Sequence, residues 1–552
     1  MTSRRMRVGS GRVATVIAAA AALVAAGATA AIAQTGPGRV TGQGQSSQGQ
    51  SSQGQWSMAG QNIDDTHYQA DEHRISPANV GRLAPRWTLT AAGAISTTPT
   101  VDDGVVYVPD YGGKLWAVAA RSGKVLWSND ISAYTGVTGD VSRTSPAVYG
   151  ADLILGDGWI LSGGAAGTSG ARVFSVNRRT GAPVWSTQVD TDPNAQITGS
   201  PVIYDGVAYI GISSKGEGND QDSFRGAVIA LNAATGKLLW KSYMVPSNNG
   251  GGDSNKPGFY SGNAVWESSF AVDPRRGLLY IDTGNNYSVP DGVCTTPQQT
   301  GCAPAAADDY VDSILALKLS DGAVAWADPT VNGDLWTLLQ PTGPDFDFGA
   351  GPNLFTTKNP VTGRPEQLLG VGQKSGVYWA VDPATGKVVW QTTIGPTDIV
   401  ANPGIEYGTA TDGRRIYAAE GDGADLPYTL GGSGPDAGKT VTGGSVAALD
   451  LATGKILWQT PDPQGAPDVG FVSAANGVVY AGSLADSGTD MYALSAATGK
   501  ILWSFASGGS VTGGAAIVDG SVYWGSGYCG TLCLGGTTPV LNNDKVYAFG
   551  LG

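Results

Sequence analysis

Histidine, the side chain behind many catalytic and metal centres, is scarce in this chain of 552 residues. Only His67 and His73 occur, and both lie early in the chain. Zinc sites with histidine ligands and Ser-His-Asp catalysis both need histidine, so the composition argues against them for the rest of the chain. A carboxylate is then the side chain best suited to move a proton.

The four cysteines form two close pairs, Cys294 with Cys302 and Cys529 with Cys533. In an exported chain this spacing predicts two local disulfides. Zinc bound by all four cysteines is the alternative. Neither pair is followed by histidine, so the sequence contains no c-type haem attachment motif.

The net charge argues against one class of partner, and the N-terminal residues indicate export. The formal net charge is −13, which argues against nucleic acid as a partner. Arginines at positions 4, 5, 7 and 12 precede an apolar run from Val13 to Ile32, and Ala31-Ile32-Ala33 suits cleavage. Residues 1–33 therefore predict a secretory signal peptide, either ordinary or of the twin-arginine type that Ser3-Arg4-Arg5 suggests, with a retained anchor helix as the alternative.

The expected location is outside the cytoplasm. A cleaved leader predicts a secreted or cell-envelope protein whose mature chain has no membrane span. Residues 34–55 are rich in Gln, Gly and Ser and predict a flexible linker, which leaves 56–552 for the folded part.

The folded part is a repeat. A pattern close to Ala-Leu-Asp-x-x-Thr-Gly-Lys-x-x-Trp recurs, with copies that end at Trp127, Trp185, Trp240, Trp326, Trp390, Trp458 and Trp503. Alternating apolar residues predict half-buried strands, and the Thr-Gly pair predicts a tight turn between two of them. Each closing tryptophan is expected to dock against a neighbouring unit, because one such unit cannot cover its own faces.

An eighth copy is split between the two ends of the chain. Arg86-Trp87-Thr88-Leu89 matches a last strand, and residues 544–549 match the strand that precedes it. Together they complete one unit and close a ring. The prediction is an all-β, eight-bladed β-propeller rather than a solenoid, because a solenoid caps its ends instead of joining them.

These repeats resemble the quinoprotein alcohol dehydrogenases, which bind pyrroloquinoline quinone (PQQ) and a metal ion. The resemblance covers residues from Trp56 to the C-terminus and is closest to the polyvinyl-alcohol-dehydrogenase-like branch. It rests on the docking repeats and on three stretches, residues 75–80, 348–354 and 522–528. A methanol dehydrogenase is disfavoured, because Thr138-Gly139-Asp140 stands where those enzymes carry adjacent cysteines.

The resemblance implies residues that bind the cofactor. PQQ is a flat tricarboxylate, and Arg143 matches the arginine that pairs with its carboxylates. Thr198 matches a threonine that bonds to the cofactor, and Trp266 matches the tryptophan that stacks on it. Lys374 matches the lysine that contacts the quinone oxygens.

The resemblance also implies a metal site and a base. Glu217 and Asn285 match two of the family's metal ligands, and Asp345 and Asp347 supply carboxylates, as a hard cation such as Ca²⁺ requires. Asp345 matches the catalytic base, although a shift of two residues would give that role to Asp347. A second aspartate two residues beyond the base is associated in relatives with lanthanide use.

The implied function is oxidation of a secondary or polymeric alcohol to a carbonyl, with electrons passed to an external acceptor such as cytochrome c. The alternative is a non-catalytic propeller that serves as a scaffold in the cell envelope. Such proteins keep the docking tryptophans but lose the channel residues. The joint presence of Arg143, Glu217, Asn285, Asp345 and Lys374 favours the enzyme.

Overall fold

The structure is a computed structural model, and it describes most of the chain from Gly54 onward. The described residues are 54–158, 170–215, 224–247, 259–266, 269–290, 292–294, 302–303, 306–337, 344–396, 404–485, 487–528 and 543–552. They belong to one compact unit, Ser47–Gly552. The predicted leader, Glu217 and the pair Cys529 and Cys533 lie outside the described residues.

The described residues form the predicted β-propeller, a ring of eight four-stranded antiparallel blades. The strands of the first four blades are Thr100–Asp102, Val105–Pro109, Lys114–Ala119 and Val125–Asp130 in blade 1; Ala147–Tyr149, Asp152–Gly156, Arg172–Asn177 and Pro183–Gln188 in blade 2; Val202–Tyr204, Val207–Ser214, Ala227–Asn232 and Leu238–Tyr243 in blade 3; Ala271–Asp273, Leu278–Asp282, Ser313–Lys318 and Val324–Pro329 in blade 4.

The other four blades follow in chain order. Their strands are Asn353–Lys358, Pro365–Gly372, Val377–Val381 and Val388–Thr393 in blade 5; Ala410–Thr411, Arg415–Glu420, Ser445–Asp450 and Ile456–Pro461 in blade 6; Ser473–Ala475, Val478–Gly482, Met491–Ser495 and Ile501–Phe505 in blade 7; Ala516–Val518, Ser521–Ser526, Lys545–Leu551 and Leu83–Thr90 in blade 8. Blade 8 is the predicted split blade, because its outer strand comes from the N-terminal side of the chain.

Few regular elements lie outside the blades in the described residues. Ala195–Gln196 and Tyr68–Gln69 extend the sheets of blades 3 and 7. Ser261–Gly262 pairs with Asn286–Ser288, and Tyr428–Thr429 pairs with Thr440–Val441. Ser132–Thr135 forms a short α-helix and Val80–Arg82 a 3-10 turn. Among the described helices, neither is long and apolar enough to cross a membrane.

Tryptophans on the outer strands join the blades, as the repeat predicts. In seven blades the indole Nε1 donates a hydrogen bond of 2.8–3.1 Å to a main-chain carbonyl of the next blade: Trp87 to Ala120, Trp127 to Arg178, Trp185 to Ala233, Trp240 to Leu319, Trp326 to Pro383, Trp458 to Ala496 and Trp503 to Leu83. The Nε1 atom of Trp390, in blade 5, has no such partner among the described residues. The ring is therefore held by a repeated contact that the sequence repeat encodes.

The glycine of the Thr-Gly turn has two roles in docking. Gly499 has φ of +75°, and a Cβ atom there would overlap the indole of Trp458 from the preceding blade. Gly104, in the turn between the first two strands of blade 1, has nearly the same φ, +72°, but a Cβ atom there would meet nothing within 4 Å. The turn glycine is needed both for its backbone conformation and for the space it leaves to the tryptophan.

This pair of glycines separates the two roles. We expect Gly104→Ala to lower the free energy of unfolding by about 1–2 kcal/mol through backbone strain alone. Gly499→Ala should lose about 1–3 kcal/mol more, because overlap with the indole forces side chains to move. Urea unfolding of both variants measures the difference, and equal losses would contradict a docking role for the glycine.

Residues 56–69 form a strap across the inner strands, which the repeat pattern does not predict. Main-chain hydrogen bonds connect this strap to the innermost strands of several blades: Trp56 with Val101, Ser57 with Val148, Ile63 with Val272, Asp64 with Leu354, Thr66 with Thr411 and His67 with Ala474. The strap therefore runs round the central channel and ties blades that are not neighbours.

The two ends of the blades differ in their connections. Because the strands are antiparallel, the short turns that join strands one to two and three to four lie at one end, which we call the turn face. The connections between strands two and three, and those between successive blades, lie at the other end, which we call the loop face. The long connections of the chain are all at the loop face, where binding and catalytic residues are commonly found.

Candidate active site on the loop face

The predicted site residues that are described all lie in loop-face connections. Arg143, Thr198, Trp266, Asp345 and Asp347 lie between blades, and Asn285 and Lys374 follow the second strands of blades 4 and 5. Residues that are far apart in the chain thus lie at the same end of the ring. Glu217 lies outside the described residues.

Lys374 links the two predicted carboxylates. Its Nζ atom lies 3.0 Å from Oδ1 of Asp345 and 3.0 Å from Oδ2 of Asp347. Asp347 is fully buried, and its other oxygen accepts a hydrogen bond of 2.6 Å from the backbone N–H of Asn285. Two carboxylates and one ammonium group leave an excess of negative charge, which suits a site for a cation.

Backbone and side-chain hydrogen bonds hold this cluster in place. The N–H of Lys374 donates to the carbonyl of Asp347 at 3.1 Å. The preceding residue, Gln373, donates from Nε2 to the carbonyl of Phe346 at 2.8 Å and accepts from the indole of Trp379 at 3.0 Å. The segment around Asp345 and Asp347 is therefore attached to the Lys374 turn at several points.

A second pair of carboxyl groups, Asp312 and Asp334, lies behind this cluster. Asp334 accepts hydrogen bonds from the N–H groups of Trp336 and Phe346, at 2.9 and 3.0 Å. Burial raises its pKa to about 7, and the nearby charges of Asp347 and Asp345 act in the same direction. Burial and the neighbouring Asp334 raise the pKa of Asp312 well above its usual range. Sequence reasoning missed this pair, since nothing in the repeat marks it.

Asn285 and Trp266 present buried polar atoms at the same place. The side-chain oxygen of Asn285 and the indole Nε1 of Trp266 have no hydrogen-bond partner among the described residues. Gly284 lies between them, and a Cβ atom there would crowd Asp347 and Trp266. An unpartnered amide oxygen next to carboxylates fits a ligand of a hard cation. No group of three or more His, Cys, Asp or Glu side chains in the described part of the chain is arranged as a metal site.

Arg143 lies among aromatic residues that the sequence analysis did not single out. Its guanidinium carbon is 5.8 Å from the ring centres of both Tyr407 and Tyr528, and the two tyrosine hydroxyls are 2.6 Å apart. Arg143 is 5% exposed, so its charge faces a sheltered space. Tyr528 ends the stretch 522–528 that carries the resemblance, which is the one signal that could have indicated it.

Thr198 lies on the neighbouring connection. Its hydroxyl is 2.7 Å from the hydroxyl of Ser213, and the segment is joined to that of Arg143 through Ser145 and Ser200, at 3.0 Å. Thr198 is almost fully buried. The structure thus brings Arg143 and Thr198 onto adjacent segments, and Asn285, Asp345, Asp347 and Lys374 into a separate cluster with Trp266 at its edge.

Asp309 is a further buried carboxyl group near this cluster. It accepts hydrogen bonds from the side-chain amides of Asn263, at 2.8 Å, and Asn286, at 2.9 Å. Burial raises its pKa to about 6, against the effect of these two donors. The sequence offered no signal for it beyond its acidic type.

The first predicted disulfide is present. Cys294 and Cys302 are bonded at 2.02 Å, and their sulfur atoms pack against Gly333, next to Asp334. The disulfide therefore supports the segment that carries Asp334. The second predicted pair, Cys529 and Cys533, lies outside the described residues.

Comparison with known families gives two matches. Residues 56–407 match the family described as "Glucose/ethanol/alcohol dehydrogenase, beta-propeller domain". Residues 442–548 match the family described as "Outer membrane protein assembly factor BamB". The first match spans the connections that carry all the predicted site residues.

Similar curated proteins include two named polyvinylalcohol dehydrogenase. One, from Sphingopyxis sp. (strain 113P3), is 30% identical over 547 residues, which cover 89% of this chain and 75% of the relative. The other, from Pseudomonas sp., is 29% identical over 519 residues, which cover 86% of this chain and 73% of the relative.

Solved structures share the fold. A quinohemoprotein alcohol dehydrogenase from Pseudomonas putida HK5 superposes with a TM-score of 0.66 at 22% identity, over 90% of this chain and 80% of that one. A europium-containing methanol dehydrogenase superposes with a TM-score of 0.64 at 18% identity, over 90% of this chain and 98% of that one. At these identities the superpositions support the propeller architecture. The family match over residues 56–407 and the relative at 30% identity support more: the chain belongs to the PQQ-dependent (quinoprotein) alcohol dehydrogenases, in the polyvinyl-alcohol-dehydrogenase-like branch, and is an oxidoreductase acting on CH–OH groups.

Proposed function

We propose that this chain is a secreted dehydrogenase that oxidises secondary or polymeric alcohols, of the polyvinyl alcohol type, to carbonyl compounds. The observation that carries the proposal is the contact of Lys374 with both Asp345 and Asp347 beside the buried oxygen of Asn285. The substrate class comes from the two relatives named polyvinylalcohol dehydrogenase.

Proton transfer is assigned to Asp345. In Asp347 both carboxylate oxygens accept hydrogen bonds, from the N–H of Asn285 and from Lys374, so its orientation is constrained by the protein. Asp345 has Lys374 on one oxygen and lies next to the same cluster. We therefore assign Asp345 as the general base for the substrate hydroxyl and Asp347 as the group that orients Lys374 and Asn285. Lys374 would donate hydrogen bonds to the quinone oxygens.

The residues fit a cofactor and a cation. A bound quinone supplies a two-electron acceptor, and a bound cation supplies a Lewis acid beside it. We assign Asn285, Asp345, Asp347 and Glu217 to the cation, which would be Ca²⁺, or a lanthanide in view of the extra carboxylate. Arg143 and Thr198 would hold carboxylates of the cofactor, and Trp266 would offer an aromatic surface.

Electrons must leave the site after each turnover. The chain has no c-type haem motif, so an external acceptor such as a cytochrome c would receive them. The leader at 1–33 is proposed to direct the chain out of the cytoplasm, where such an acceptor and an extended polymer could both reach the loop face.

Calorimetric titration with PQQ tests this function directly. We expect metal-depleted protein to bind PQQ tightly only when Ca²⁺ or a lanthanide is added, and Asp345→Ala to weaken this binding. The matched control is Asp321→Asn, which removes an exposed carboxylate on the turn face. This variant should bind PQQ like the unaltered protein. If PQQ fails to bind with either metal, the dehydrogenase assignment is wrong and an envelope scaffold becomes the better account.

A further inference from the structure

The turn face carries basic residues in every blade, although the whole chain is acidic. The lysines of the Ser/Thr-Gly-Lys turns are exposed there: Lys124, Lys237, Lys387, Lys455 and Lys500. Blades 2, 4 and 8 contribute exposed arginines instead: Arg179, Arg275 and Arg86. Among the described residues, exposed carboxylates on this face are limited to Asp103, Asp205, Asp321 and Asp519.

The turn-face lysines also differ from lysines elsewhere in their pairing. Lys114 and Lys545, which begin third strands at the loop face, form ion pairs with Asp130, at 2.6 Å, and with Asp544. Within the described structure, Lys124, Lys237 and Lys387 form no ion pair. Their charge is therefore not compensated locally and can act on a partner outside the protein.

Apolar side chains accompany these charges. Leu126 and Leu239, each two residues after a turn lysine, are 50% and 48% exposed. The hairpin of blade 5 is longer than its counterpart in blade 4, with strands of 6 and 8 residues against 3 and 5. The three additional residues in each strand extend this hairpin beyond the turn face by about 10 Å, at about 3.4 Å per residue. Its tip carries Val361, which is 91% exposed.

We call the tip of this hairpin, residues 358–364, the finger. Lys358 and Arg364 flank Val361 and are themselves exposed. A cleft of about 500 Å³ lies between the base of the finger and blade 4, lined by Arg275, Arg276 and Glu366 among others. An exposed apolar tip among cations is suited to enter the headgroup region of an anionic membrane.

The N-terminal segment reaches the propeller at the same face. Gly54, where the described chain begins, lies against Asp519, in the turn between the first two strands of blade 8. The described chain therefore begins at the turn face.

We propose that the turn face binds the surface of an anionic lipid bilayer, with Val361 inserted among the headgroups. The ring of uncompensated lysines supplies the electrostatic attraction. The exposed aliphatic residues favour a bilayer over a soluble polyanion, which would gain nothing from them. In this orientation the loop face, with the candidate active site, points away from the membrane towards the substrate.

Vesicle co-sedimentation of the full chain, without PQQ, tests the charges. We expect stronger binding to vesicles of phosphatidylglycerol and phosphatidylcholine than to phosphatidylcholine alone at low ionic strength. Each lysine removed should weaken binding by about fivefold, so Lys124→Gln with Lys237→Gln and Lys387→Gln should lose about 100-fold. The control pair, Lys114→Gln with Lys545→Gln, removes lysines at the loop face and should change binding by less than about threefold.

A second variant separates a membrane from a soluble polyanion. Val361→Ser removes the apolar side chain without changing the charge, so it should weaken vesicle binding clearly but leave retention on a polyphosphate matrix nearly unchanged. All substituted side chains on the turn face are exposed, so these variants should melt close to the temperature of the unaltered protein. This measurement verifies that they fold. Equal losses per lysine in the turn-face and loop-face variants, or binding to polyphosphate with none to vesicles, would overturn the proposal. The leader is common to all variants, so the differences report on the propeller.

Discussion

Asp345→Asn is expected to lower kcat for alcohol oxidation by about 10²–10⁴-fold, the usual contribution of a positioned general base. Asparagine keeps the size of the side chain and one oxygen for a cation, but it cannot accept the hydroxyl proton. Binding of PQQ should therefore fall much less than kcat. The measurement is the rate with a dye acceptor beside the calorimetric affinity for PQQ, at saturating metal.

Asp347→Asn is the matched variant, because the two carboxylates share Lys374 at 3.0 Å each. One oxygen of Asp347 also accepts a hydrogen bond from the N–H of Asn285. An asparagine at position 347 would place its NH₂ group against either that N–H or the ammonium group of Lys374, and both of these are donors. We expect Asp347→Asn to weaken cofactor binding and lower the melting temperature. If instead Asp347→Asn loses kcat with binding retained, and Asp345→Asn remains active, the base is Asp347.

Trp458→Ala is expected to lower the free energy of unfolding by about 3–5 kcal/mol, as for other buried aromatic residues. Trp458 is 1% exposed, donates its indole N–H to the carbonyl of Ala496 at 3.0 Å, and packs 6.1 Å from the ring of Tyr417. Its removal leaves a cavity between blades 6 and 7 and an unpaired carbonyl group.

Trp390→Ala provides the comparison, since it occupies the same place in the repeat of blade 5. Trp390 is only half-buried, and its Nε1 atom has no partner among the described residues. We expect its replacement to cost less than that of Trp458 by at least about 1 kcal/mol, the net worth of a hydrogen bond. Urea unfolding of the two variants gives the order, and a larger loss for Trp390→Ala would show that docking strength does not follow burial and hydrogen bonding.

The fold was predictable because its information is local and repeated. In seven blades the tryptophan follows the turn glycine by four residues and alternating strands precede the turn, so that one unit could be recognised many times over. Trp87 and residues 544–549 completed the count, and the pairing of Leu83–Thr90 with Lys545–Leu551 confirms the split blade.

The site was predictable only in part. Asp345, Asp347 and Lys374 were named through the resemblance, and the structure brings them into contact. Their roles and those of Arg143, Thr198, Trp266 and Asn285 stay predictions that the titration and the variants test. Asp312, Asp334 and Tyr407 carried no signal, because loops lack the periodicity that marks strands.

The repeat allowed the blades to be counted and their docking tryptophans to be located, and the resemblance named candidate residues for the chemistry. The folded ring determines which loops from different blades come into contact. It placed Arg143 between Tyr407 and Tyr528, set two protonatable carboxyl groups behind Lys374, and drew residues 56–69 along the inner strands. The physical reason is that strands follow from local alternation, whereas contacts between loops from distant blades exist only once the ring has closed.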